Sequence, residues 1–212
     1  DFEAHNDLPP GAFDSGYWRK KYESAVRLLT ALFAQRAVGF DPSMNTPVRV
    51  FAQHLTTQDT IITFNWDTLL EQQLHSLSKP FSLDPNSSNS LKILKLHGSV
   101  SWVFSQTEST TVGFEALHDR GSGKFLRKAD DKPCSESAPS PYIVTPLLHK
   151  KPVESSFMQL LWYEAFNALI NSSLHGEITC IGYSLPEEDL HARALLKSGV
   201  IGDCKFSVIN PD

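Results

Sequence analysis

The stretch DTIITFNWDTLLEQQL (59–74) constrains this chain more than any other. Apolar and β-branched residues run without interruption from Thr60 to Phe64, a polar pivot follows at Asn65–Asp67, and apolar residues then recur at helical spacing. The pattern predicts a strand at 60–64, a tight turn, and a helix from about 67 to 76. The same order of events returns twice. LKILKL (91–96) reads as a strand closing on His97-Gly98, and EITCI (177–181) runs into Gly182 ahead of a helix at 187–197. KFSVI (205–209) is a last strand, closing on Asn210. None of these strands alternates strictly between apolar and polar residues. A strand covered on both faces must be apolar at successive positions, and strands alternating with helices are joined in parallel. The expected fold class is therefore α/β, with a doubly wound parallel sheet.

The remaining elements fit one domain over residues 1–212. Residues 17–38 carry Tyr22, Val26, Leu29 and Phe33 on one helical face, between Pro9-Pro10-Gly11 and Gly39 with Pro42. A short helix is expected at 47–55, a loop at 80–90, and a short strand at Ser101–Phe104. Between 105 and 141 Ser, Thr, Gly, Lys and Asp dominate, which reads as a polar insertion or lid. Order is expected to resume at Tyr142–Thr145. SSFMQLLWYEAFNALI (155–170) is apolar almost all round and predicts a deeply packed helix. The chain opens on Asp1 and stops just after an apolar run, so the expectation is a segment of a longer protein.

Charge narrows the function classes. Lys plus Arg number 19 against 24 Asp plus Glu, a formal net charge of -5, which argues against a broad basic surface for direct nucleic-acid binding. No apolar run approaches the roughly 18 residues of a membrane span, and the acidic opening does not read as a signal peptide. Cys134, Cys180 and Cys204 lie far apart without metal-ligand spacing, so no metal is expected. Unpaired thiols suit a reducing, cytoplasmic setting.

Four polar clusters each follow an apolar strand: Asn65-Trp66-Asp67, His97-Gly98-Ser99, Gly182-Tyr183-Ser184, and Asn210. In an open parallel sheet, ligands bind beyond the carboxyl ends of the strands, so these clusters are candidates for one site. Each has a plainer explanation. Asn65 or Asp67 can cap the following helix. Ser184-Leu185-Pro186-Glu187 has the spacing of a capping box, with Glu187, Glu188 and Asp189 on the positive helix end. A single histidine such as His97 can be a structural one, although a following glycine allows backbone to approach a ligand.

ITFNWDTLL (62–70) is similar to the strand-end motif of haloacid-dehalogenase-like phosphotransferases. Their chemistry needs a carboxylate nucleophile where this chain has Asn65, and an amide cannot form an acyl-phosphate. Taken together, TFNWDTLLE (63–71), KLHGS (95–99), IGYSLPEED (181–189) and INPD (209–212) resemble the SIR2-like domain family, the sirtuin-related NAD-consuming domains found in many bacterial antiphage systems. The resemblance covers roughly residues 60–212, and the opening DFEAH is similar to the acidic segment after the first βα unit of such proteins.

The resemblance implies a Rossmann-like sheet and NAD as substrate. It assigns Asn65 to the nicotinamide-side ribose and the attacking nucleophile, and Asp67 to the nicotinamide amide. His97 is assigned to the ribose hydroxyls and to general-base catalysis. Gly182, Tyr183 and Ser184 fall beside the phosphates and ribose, and Asn210 near the adenine ribose. These residue types suit cleavage of the nicotinamide–ribose bond. An amide orients without competing as a nucleophile, and an imidazole titrating near neutrality accepts a proton.

Two departures shape the expectation. The family's Gly-rich loop, G-A-G-x-S, has no counterpart, so the first βα unit is expected to lie upstream of Asp1. The four zinc-binding cysteines of protein-deacylating sirtuins are also missing, the 105–141 segment holding only Cys134. The activity expected is NAD glycohydrolysis, yielding nicotinamide and ADP-ribose or a cyclic form, as a defence effector depleting NAD. A non-catalytic module sensing NAD or ADP-ribose, or a scaffold, is the alternative; protein deacylation and ADP-ribosyl transfer are less favoured. Fused sensor or repeat domains and a homo-oligomer are the expected partners.

Overall fold

A computed structural model describes residues 21, 24–29, 31–33, 35, 40–104, 140–143, 156–187 and 189–210. They fall into two compact units. One is drawn from Asp1–Leu55, Asn65–Lys79 and Gly98–Ile143, the other from Thr56–Phe64, Pro80–His97 and Val144–Asp212.

In the first unit, the described residues between 21 and 35 are helical. On the expected face Val26 is buried and Leu29 and Phe33 are half-buried, while Leu28 and Leu32 are exposed; Tyr22 lies outside the described residues. Helix α1 (Pro47–His54) starts where Thr46 accepts a hydrogen bond from the Arg49 N–H at 3.2 Å, with Pro47 at the first position, where a missing N–H costs nothing. Helix α2 (Leu69–Ser76) packs against it. Ala52 and Leu74 are both fully buried. Arg49 ties the pair by donating from Nη1 to Ser76 Oγ at 3.2 Å and to Gln73 Oε1 at 3.4 Å. Lys79 donates from Nζ to the carbonyls of Gln53 and Leu55, which closes the carboxyl end of α1 with a positive charge.

The second unit is built on a parallel sheet of β1 (Thr60–Thr63), β2 (Phe81–Ser82) and β3 (Leu91–Lys95), in the order β1-β3-β2. Ile61 lies opposite Ile93, Ile62 opposite Leu94, and Phe81 opposite Leu91. Central β3 is buried at Leu91, Ile93, Leu94 and Lys95, as a strand flanked on both sides should be. Phe81 and Ser82 correct the expected loop at 80–90: a β-forming aromatic beside β3 completes two ladder positions before the turn residues begin.

Back in the first unit, β4 (Gly98–Phe104) begins three residues earlier than expected. It pairs antiparallel with β5 (Ser140–Ile143), with Gly98 opposite Ile143. Ser140 and Pro141, assigned from sequence to the polar insertion, therefore belong to a strand. The rest of that insertion, 105–139, lies outside the described residues.

Helix α3 (Ser156–His175) packs on β3 in the second unit. Met158, Leu161, Ala165 and Leu169 are buried along one face, whereas Tyr163 and Leu174 are exposed. This corrects the expectation of burial all round: three to four residues separate successive buried positions, the signature of one covered face. Strands β6 (Glu177–Ile181) and β7 (Lys205–Ile209) form a parallel pair with the predicted bounds. Between them lies α4 (Leu190–Gly199), which packs on α3 so closely that a Cβ on Gly199 would sit 2.9 Å from Leu169 Cβ.

The class is thus α/β, with parallel pairing in two small sheets and an antiparallel pair in the third, among the described residues. No described helix is long and apolar enough to cross a membrane.

Candidate functional site

His97 follows β3 directly and is 6% exposed. The ladder between β1 and β3 runs one step beyond β3, through the Leu96 N–H donating to the carbonyl of Thr63, the last residue of β1, at 3.0 Å. That step sets Phe64 beside His97, ring centroids 5.0 Å apart. The imidazole Nε2 lies 3.4 Å from Asp189 Oδ2, and both side chains are nearly sealed from solvent.

Asp189 is held from several directions. Its Oδ1 accepts from the Ala192 N–H at 3.4 Å, making it the N-cap of α4, and its Oδ2 accepts from the Tyr183 hydroxyl at 2.9 Å. The capping-box reading of Ser184 and Glu187 is corrected here. The helix starts at Leu190 and takes Asp189 as its cap, because Pro186 and the residues around it form a turn, closed by the Asp189 N–H donating to the Pro186 carbonyl at 3.1 Å.

The turn is tightly wound. Gly182 takes φ +63° and Leu185 φ +50°. Glycine meets that geometry without strain, but leucine, with a Cβ and a proline after it, does not. Gly182 also donates its N–H to the Ile209 carbonyl at 2.8 Å, extending the β6–β7 ladder to the start of the turn. The result lays the Tyr183 ring on Phe64, centroids 4.6 Å apart and planes 20° from parallel. Trp162 of α3 approaches Phe64 at 6.4 Å and meets His191 edge-on at 6.2 Å. Burial, and then the hydrogen bond to Asp189 and its charge, raise the Tyr183 phenol well above its ordinary value. It is a neutral donor at physiological pH.

Of the residues assigned from sequence, His97 and Tyr183 meet around Asp189. Gly182 shapes the turn, while Ser184 is exposed within it and Asn210 is exposed directly after β7. Asn65 and Asp67 belong to the first unit. There the Trp66 carbonyl is fixed to β4 by the Val100 N–H at 2.9 Å and the Ser99 hydroxyl at 3.3 Å, and the Trp66 ring meets Phe33 edge-on. Asn65 is exposed beside this anchor. Asp67 Oδ1 accepts from the Leu69 N–H at 3.0 Å, a local turn at the start of α2, and Thr68 stands at the capping position.

Asp189 is the functional candidate that sequence reasoning missed. It reads in the sequence as one of three acids at a helix start, and nothing in spacing tells it from Glu187 or Glu188. No group of three or more His, Cys, Asp or Glu suited to a metal occurs among the described residues. No protein-family model matches the chain, and no curated protein matches it.

Proposed function

We propose that this chain is a SIR2-like domain that hydrolyses NAD at the nicotinamide–ribose bond, giving nicotinamide and ADP-ribose or its cyclised form, and that it acts in cytoplasmic defence by depleting NAD. In this reading the small parallel sheets are parts of one doubly wound, Rossmann-like sheet, whose Gly-rich first βα unit is not among these 212 residues. The observation that carries the proposal is a buried imidazole at the carboxyl end of a parallel strand, backed by a carboxylate at 3.4 Å. That arrangement provides a base with a partner for the charge it acquires.

The reaction needs little else. Water adds its oxygen to the ribose C1′ as the bond to the pyridinium nitrogen breaks, and the bonding pair returns to that nitrogen, so nicotinamide leaves neutral. The proton lost by water passes to His97. Asn65 orients ribose and water, and Asp67 engages the nicotinamide amide, as the resemblance assigns them. Gly182, Tyr183, Ser184 and Asn210 serve the phosphates and riboses. Fused sensor or repeat domains, or a second copy of the chain, would govern activation.

The second reading is a module that binds NAD or ADP-ribose without cleaving it. Both are tested by measuring nicotinamide release from NAD by the full-length protein, beside His97→Ala and Asn65→Ala. Turnover abolished by either substitution in a folded protein supports the hydrolase. Binding of ADP-ribose without turnover supports the sensor.

A further inference from the structure

We infer that Asp189 is the positioning residue of His97: it holds the neutral imidazole with its proton on Nε2 and leaves Nδ1 as the basic nitrogen. The inference rests on the reading of His97 as a base, and it names which atom of that base takes the proton. A carboxylate can only accept hydrogen bonds. Asp189 cannot turn away from the ring, because Oδ1 is committed to the Ala192 N–H and Oδ2 to the Tyr183 hydroxyl. The imidazole nitrogen that faces Oδ2 at 3.4 Å is Nε2, so the stable neutral tautomer is the one that presents Nε2–H. When Nδ1 takes up a proton, the positive ring is met by a carboxylate already in place.

Titratable groups on the surrounding elements are Lys92 and Lys95 on β3, Glu164 and His175 on α3, Glu177 and Cys180 on β6, His191, Arg193 and Lys197 on α4, and Tyr183 and Glu187 in the turn. Phe64 and Trp162 bring aromatic surface and no charge. Asp189 stands within ion-pair distance of Nε2. The strained backbone at Leu185 has a purpose in this scheme, since the fold of 182–189 is what delivers both Tyr183 and Asp189 to one place.

The test is nitrogen-15 NMR of the protein carrying labelled histidine, with His97→Gln to assign the resonance. The expected spectrum shows the Nε2–H tautomer, and Asp189→Asn lowers the His97 pKa by about one unit, since the nearby negative charge is gone. Asparagine is itself a good N-cap, so α4 should persist. Should that variant fail to fold, Tyr183→Phe removes a competing donor from the carboxylate and is expected to raise the His97 pKa. An Nδ1–H tautomer, or a pKa unmoved by both variants, overturns the inference. These readouts need no substrate. Where NAD turnover is observed, Asp189→Asn is expected to lower kcat about tenfold or more with little change in KM and to shift the acidic limb of its pH profile. If the wild-type protein turns over no NAD while the NMR result holds, the hydrolase reading has failed and the pairing has not.

Discussion

Tyr183 lies flat on Phe64 and hands its hydroxyl proton to the hydrogen bond with Asp189, so one ring serves both an apolar stack and a buried carboxylate. The stack fixes the ring plane, and the ring plane fixes where the hydroxyl points. Deprotonating the phenol would set two negative oxygens 2.9 Å apart.

That geometry predicts how the fold responds to alkali. The folded-state pKa of Tyr183 is raised above the ordinary 10.0, so the folded protein holds this proton more tightly than the unfolded chain. Stability from this group is complete below about pH 10 and falls as pH rises from there towards the folded-state value. Thermal melts from pH 8 to 11 should show the decline, and Tyr183→Phe should flatten it. An equal decline in the variant would assign the effect to other groups.

Gly199→Ala is expected to destabilise the second unit by about 1–3 kcal/mol, the usual cost of overpacking a tight contact. The added methyl would meet Leu169 Cβ at 2.9 Å, and a Cβ is too close to the backbone to swing aside. The contact also lies beside a second link, in which Ser173 Oγ donates to the Gly199 carbonyl and accepts from the Ile201 N–H, each at 3.2 Å. Urea denaturation measures the loss. Adding Leu169→Ala removes the Cδ1 contact at 3.1 Å but keeps the Cβ at 2.9 Å, so the two effects should fall short of additive by only part of the clash.

Ser78→Gly is expected to stabilise the first unit by roughly 0.5–1 kcal/mol. Helix α2 ends with the Lys79 N–H donating to the Leu74 carbonyl and the Ser78 N–H to the His75 carbonyl, a closure that puts Ser78 in left-handed backbone at φ +54°. Glycine takes that conformation without the Cβ clash. Ser78→Val should move the denaturation midpoint the opposite way, and by more.

Local order was legible wherever a run of side chains determines its own backbone. Strands β6 and β7 have the bounds expected from composition, and α1 and α2 begin within two residues of their predicted starts. Where neighbours in space decide, the sequence was a poorer guide. Phe81–Ser82 is a strand because β3 lies beside it, and α4 begins at Leu190 because the turn from Gly182 exposes Asp189 to the first N–H groups of the helix.

The site divides the same way. His97 was singled out because a histidine and a glycine at the end of an apolar run are unusual in themselves, and that is a property of adjacent residues. Its partner Asp189 is remote in sequence and sits among other acids. Only the parallel pairing of β1 with β3, the extension of β6 into the turn, and the stack of Tyr183 on Phe64 bring the carboxylate to the imidazole. The sequence by itself determined the α/β class, most of its elements and one half of this pair, because periodicity and turn chemistry are local. The tertiary structure decided the other half, because a charge is worth placing only where burial weakens its solvation and a second group replaces it, and both conditions depend on what the rest of the chain packs around.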